Sequence, residues 1–168
     1  EHAQTPEKLM MLVMHELHHI LLGHTTLFKR VTPVDNFVFD AVINGLLCRM
    51  FPGREFTAFF RDYYPEDFPH CLLRPPSGWP SAHHPPSPGW AKLKPAWRAR
   101  AIEVHTALYS EGGASYHEVH ELLPVILMNA GCAGLSKVPL LGEHTDEVLA
   151  ELGYSAEQIK AMHSKKAV

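Results

Sequence analysis

Apolar residues recur at helical spacing from the start of the chain, at Leu9, Leu12, Val13, Leu17, Ile20 and Leu21. Thr5-Pro6-Glu7 ahead of them supplies an N-cap, a proline at the first helical position and an acid in the first turn, and Gly23 stands where such a helix closes. A second periodic segment, Phe39, Val42, Ile43, Leu46 and Leu47, predicts a mostly buried helix that begins around Val34 to Asn36 and runs to about Met50, where Phe51-Pro52-Gly53 stops it. Phe56, Phe59 and Phe60 lie on one side of a shorter helix expected over Glu55 to Tyr63, where they read as core packing.

Helices are expected again from about Ala96 to Ser110, closed by Gly112-Gly113, and from Tyr116 to about Ala130, opened by a capping box between Ser115 and Glu118. Pro124 predicts a kink or a break in the second of these. In the tail, Thr145 caps a helix over Asp146 to Leu152, Gly153 closes it, and Ser155 with Gln158 opens a last one. Between Pro69 and Pro95 the composition shifts to Pro, Ser, Gly and His, which sustains neither helix nor central strand. A long irregular excursion is expected there, and Trp79 and Trp90 predict that it packs onto the rest. No alternating strand pattern appears, so the fold class expected is mainly α with little or no sheet, in a single domain over 1–168 with a Pro-rich loop at 69–95 and a helical tail at 139–168.

The chain has 168 residues, 46% of them hydrophobic, enough for one real core. Its 15 basic and 18 acidic side chains nearly cancel, leaving no broad positive field for a nucleic acid or an anionic membrane surface. Apolar runs such as Leu9 to Val13 and Pro124 to Met128 fall far short of the ~20 residues that cross a bilayer. Cys48, Cys71 and Cys132 are odd in number and widely separated, which suggests neither disulfides nor a thiolate zinc knot and points to the cytoplasm. The chain opens on Glu1 with no basic-then-apolar leader, which reads as a processed chain or a piece of a longer reading frame.

Histidine is the compositional anomaly, at 13 residues, and it changes the chemical picture. His15 and His19 are four apart on the first helix, so they project from one face about 40° apart and can share one ion. Neutral imidazoles suit zinc, and Glu16 beside the first ligand can act as a base on a water whose pKa the metal lowers toward ~7, then return the proton to a leaving amine. With so much histidine, a chance His-Glu-x-x-His has a probability of roughly 5–10%. Its position late in a well-capped amphipathic helix favours the metal site over chance.

A third protein ligand is needed, and two residues compete for it. Asp40 sits among apolar residues of the next helix, where an ionised group is costly unless paired, and Asn36 and Asn44 one turn to either side are placed to orient it. His24 qualifies only if Gly23 ends the helix and turns the chain back. The bland alternatives are a solvated or Arg49-paired Asp40 and a His24 that merely complements the helix dipole. His117 and His120, three apart beside Tyr116, read first as a surface pair and second as a carbonyl-polarising group. Tyr63, Tyr64 and His144 are weaker candidates of the same kind, and His83 and His84 read as loop residues.

The run from His15 to His24, followed by Asp40-Ala41-Val42-Ile43-Asn44, resembles a bacterial family of zincin-like metallopeptidase domains often found with von Willebrand factor A modules. The two blocks span about a quarter of the chain. The resemblance implies a zinc site at His15 and His19 with Glu16 as catalytic carboxylate, and it names no substrate. The Asp-x-Ser-x-Ser pattern of a companion von Willebrand module is absent. Zincin peptidases generally place a sheet before the histidine helix, whose edge strand aligns the substrate. Few residues precede Thr5, so that strand is not expected in this stretch. Residues Pro139 to Val168 resemble the C-terminal segment of class III CoA-transferases, without that enzyme's nucleotide-binding body, and read as two capped helices that serve packing.

Together these features predict a cytoplasmic zinc-dependent hydrolase acting on a peptide or protein, with no nucleic-acid or membrane partner. The rival is a non-catalytic, zinc-stabilised scaffold that presents the Pro- and Trp-rich excursion to a protein partner.

Overall fold

A computed structural model describes residues 5–24, 26, 31–81, 86–129, 149–150 and 153–164. His83, His84, Cys132, His144 and the predicted cap at Thr145 lie outside them. The described residues are mainly helical and contain no strand, and none of their helices is long and apolar enough to cross a membrane.

The first helix, α1 (Pro6–Leu21), starts as its sequence dictates: the Thr5 side chain accepts from the Lys8 N–H, and Pro6 occupies the first turn, where its missing N–H costs nothing. It ends at a glycine turn. Gly23 takes φ 71°, and the N–H groups of Gly23 and His24 donate back to the carbonyls of Ile20 and His19, satisfying two of the helix's orphan acceptors. The second helix, α2 (Pro33–Met50), begins a residue earlier than its apolar spacing suggests, because Thr32 and Asp35 form a reciprocal capping box around Pro33.

Helix α2 is buried on nearly all sides and packs against α1 and three later helices: α3 (Arg54–Tyr63), α4 (Pro95–Leu108) and α5 (Tyr116–Asn129). A helix covered all round has little need of a polar face, which explains its run of apolar residues. Phe37, Val38, Ile43 and Leu47 of α2 join Met11 and Leu12 of α1, Phe59 and Phe60 of α3, and Val119 and Leu123 of α5 in one buried cluster. Gly45 permits the closest approach: a Cβ there would stand 2.7 Å from the carbonyl oxygen of Leu108 at the end of α4. The Arg49 guanidinium donates to that same carbonyl, so Arg49 is committed to α4 and not to Asp40. Helix α5 runs on through Pro124 without the break its sequence suggests, because one missing N–H removes only one bond from a helix held by packing on α2 and α4.

The stretch 69–95 is less irregular than expected, with short 3₁₀ turns at His70–Leu72 and Pro88–Lys92. It does pack onto the helices, since Trp90 is 2% exposed and the Trp79 ring N–H donates to the Tyr109 carbonyl. Guanidinium groups donate to backbone carbonyls in and beside this stretch: Arg98 to Ala91, Leu93 and Trp90, the last shared with the Leu93 N–H of the 3₁₀ turn, Arg61 to Trp79, and Arg74 to Tyr64 at the end of α3. In the tail, Gly153 adopts φ 92°, and Ser155 with Gln158 caps α6 (Ala156–Ser164).

The second half of α1 inverts the usual amphipathic rule. Leu17, Ile20 and Leu21 are 40%, 64% and 67% exposed, while His15, His18 and His19 are buried. The face of this half-helix turned toward the interior is therefore the one that carries the histidines.

Candidate metal centre

Helices α1 and α2 are antiparallel across the site. His15 meets Asn44, His19 meets Asp40, and His24 stacks on Phe39, so rising numbers on one element face falling numbers on the other. The i to i+4 spacing that sequence predicted does bring His15 and His19 side by side, with ring centroids 4.8 Å apart. Their Nε2 atoms face each other at 3.1 Å, and Asp40 Oδ1 lies 3.5 Å from the first and 3.1 Å from the second. All three residues are buried, at 2%, 3% and 4% exposure.

The three donor atoms fit a small divalent ion. Bonds of 2.0–2.1 Å in a tetrahedral zinc site set ligand atoms about 3.3 Å apart, between the shortest and longest of the observed separations. Two imidazoles and one carboxylate are also a common donor set for zinc. The same groups form a His–Asp–His hydrogen-bonded network without any ion, which is why Asp40 tolerates its place among apolar neighbours.

Electrostatics keep the carboxylate ionised. Burial alone would push Asp40 up, but its hydrogen bonds with His15 and His19 and their charge hold it below the ordinary aspartate range. Burial likewise opposes charge on His15, yet the Asp40 hydrogen bond and charge, with Glu16 and Asn44, outweigh it and raise His15. His19 is lowered, by burial first and by the neighbouring His15 charge, against the opposing pull of Asp40. His24 is lowered to about 4, by burial and then by His19.

Around the three donors stand groups that orient them. The His15 Nδ1 bonds Asn44 Oδ1 at 2.8 Å, and the Asn44 amide donates to the Leu73 carbonyl at 2.9 Å, which fixes which way the amide faces. Asn44 therefore steadies His15, not Asp40 as its place on α2 suggested. Asn36, expected to do the same from the other side, is buried with no hydrogen-bond partner for its Oδ1. Tyr64 is buried near the site, its hydroxyl raised well above the ordinary tyrosine range by burial and by the Asp40 charge. Phe60 of α3 closes one side, its ring centroid 6.3 Å from that of His15.

His24 is outside the group of three donors, although Gly23 turns the chain back as it would need to. Its Nδ1 lies 3.1 Å from Nδ1 of His19, the ring nitrogen that does not face Asp40. Glu16 is partly exposed on α1 next to His15 and is close enough for its charge to act on that ring. Of the remaining candidates, His117 is exposed and pairs with Glu121 at 3.0 Å, whereas His120 stacks on Tyr116 and approaches Asp35 at 3.3 Å. The Tyr116 hydroxyl donates to Asp35 at 2.7 Å, so this group anchors α5 to the start of α2. No protein family, no curated protein and no solved structure matches this chain, so the reading of the site rests on its own residues.

Proposed function

We propose that this chain is a zinc-dependent hydrolase of zincin-like type that cleaves peptide bonds, with His15, His19 and Asp40 as ligands and Glu16 as general base. The observation that carries the reading is the convergence of three buried donor atoms, all within 3.5 Å of one another, next to a partly exposed glutamate on the same helix. Zinc bound there would supply Lewis acidity toward a carbonyl and a water. Glu16 accepts the proton of the attacking water and returns it to the departing amine. Asn44 holds the His15 ring in register through the Leu73 carbonyl, so the donors are set before a substrate arrives. The free thiols of Cys48 and Cys71 support a cytoplasmic setting.

Burial of all three donors favours a second reading, in which the ion only stabilises a scaffold, since catalysis needs an open position for water. Glu16→Gln separates the two. With a mixed library of quenched fluorescent peptides, the hydrolytic reading expects the variant to bind zinc as wild type does and to lose activity by a factor of about 10²–10⁴. Activity unchanged in Glu16→Gln eliminates Glu16 as the base, and a zinc-loaded wild type that cleaves nothing in the library supports the scaffold.

A further inference from the structure

We propose that His24 is a positioning residue, the hydrogen-bond acceptor that fixes the tautomer of His19, and not a ligand of the ion. The inference rests on the reading of His15, His19 and Asp40 as ligands. An imidazole that offers its Nε2 lone pair to a cation carries its hydrogen on Nδ1. A buried ring must place that hydrogen on an acceptor or leave a donor unsatisfied. His15 meets the requirement through Asn44, whose oxygen faces the ring because its amide is held by Leu73. His19 is equally buried, and the atom opposite its Nδ1 is Nδ1 of His24, at 3.1 Å.

Two features hold His24 in that place. The left-handed Gly23 and the bond from the His24 N–H to the His19 carbonyl bring the chain back over the end of α1. The ring then stacks on Phe39, with centroids 3.7 Å apart and planes 13° from parallel. Phe39 precedes Asp40, so one short segment of α2 supplies both the third donor and the surface that orients the acceptor. The His24 nitrogen meets the edge of His19 opposite the one that faces Asp40, whereas a ligand would have to reach the Asp40 side.

Cobalt(II) titration of the full chain tests this, because a tetrahedral cobalt spectrum reports the ligand set apart from any activity. His24→Phe keeps a ring to stack on Phe39 but removes the acceptor. It is expected to bind one equivalent of cobalt with the wild-type band shape and an affinity 10–100-fold weaker. His24→Gln restores an acceptor and should recover most of that loss, while Asp40→Asn should alter the band itself. Unchanged affinity in His24→Phe overturns the proposal. So does loss of the tetrahedral band in His24→Phe with its retention in Asp40→Asn, which would make His24 the ligand. A wild type that binds no cobalt overturns the ligand reading as well. If His24→Phe does not fold, ¹⁵N shifts of the histidines in zinc-loaded wild type decide the matter: a hydrogen on His19 Nδ1 is required, and a metal-shifted His24 nitrogen refutes it.

Discussion

An ion held by His15, His19 and Asp40 stabilises the native state by mass action, and Asp40→Asn should abolish most of that gain. At free zinc 100-fold above Kd the stabilisation is about 2.7 kcal/mol. Unfolding entropy near the midpoint is about 2.1 cal/mol/K per residue, or about 0.35 kcal/mol/K for a chain of this length, so the melting temperature should rise by about 8 °C. A zinc site's apparent binding energy of about 10–16 kcal/mol, spread over its ligands, assigns roughly 3 kcal/mol or more to each, so losing one weakens binding by at least about 100-fold. At the same free zinc the variant then gains about 0.4 kcal/mol and shifts by about 1 °C. Asparagine keeps the size and polarity of the side chain beside His15 and His19, and comparing each protein with and without zinc cancels any change in intrinsic stability. Thermal unfolding in metal-buffered solution, after stripping with a chelator, reads the difference directly. Equal zinc-induced shifts in wild type and Asp40→Asn would refute the assignment of Asp40.

Two further predictions concern the frame around the site. Burial would raise Asp35, but the side chain and backbone N–H of Thr32, with Tyr116 and His120, hold it below the ordinary aspartate range. Its folded pKa is thus the lower one. The unfolded chain takes up the proton first as pH falls, so the stability from Asp35 is fully present above the unfolded pKa and is lost through the folded one. Acid unfolding of Asp35→Asn should lose that part of the pH dependence, and an unchanged acid limb would contradict it. Arg98→Ala leaves the carbonyls of Ala91 and Leu93 without the guanidinium donor and the Trp90 carbonyl with only the Leu93 N–H, and should cost about 2–3 kcal/mol in urea unfolding. A loss under about 0.5 kcal/mol would show that the guanidinium does not hold the 3₁₀ turn.

Most of the helical frame was legible because its signals are local. Caps at Thr5, Ser115 and Ser155 and stops at Gly23 and Pro52 act within a few residues of themselves, and each marks a real boundary within a residue or two. The capping box of α2 carries the same kind of signal, Thr32-Pro33-x-Asp35, and starts the helix ahead of its first periodic apolar residue. The pairing of His15 with His19 was readable from one turn of helix, and the approach of Asp40 from the cost of burying a lone carboxylate. Periodicity misled in the second half of α1: Leu17, Ile20 and Leu21 fit a helical stripe, yet the buried stripe is the one with the histidines. Hydrophobic spacing reports which face is apolar, and only the partner helix decides which face is covered. For the same reason, spacing along α2 alone points Asn44 toward Asp40. Its true partner depends on the antiparallel crossing of α1 and α2, which places His15 opposite it. Which edge of the His19 ring faces His24 is a matter of rotamer and turn geometry that no sequence spacing encodes.

Metal content of the purified full chain decides whether His15, His19 and Asp40 hold an ion, measured by mass spectrometry for wild type and His15→Ala after dialysis against zinc and then against buffer. Wild type should retain about one equivalent of zinc and His15→Ala close to none. A wild type without bound metal, or a His15→Ala variant that keeps the full equivalent, would contradict the site.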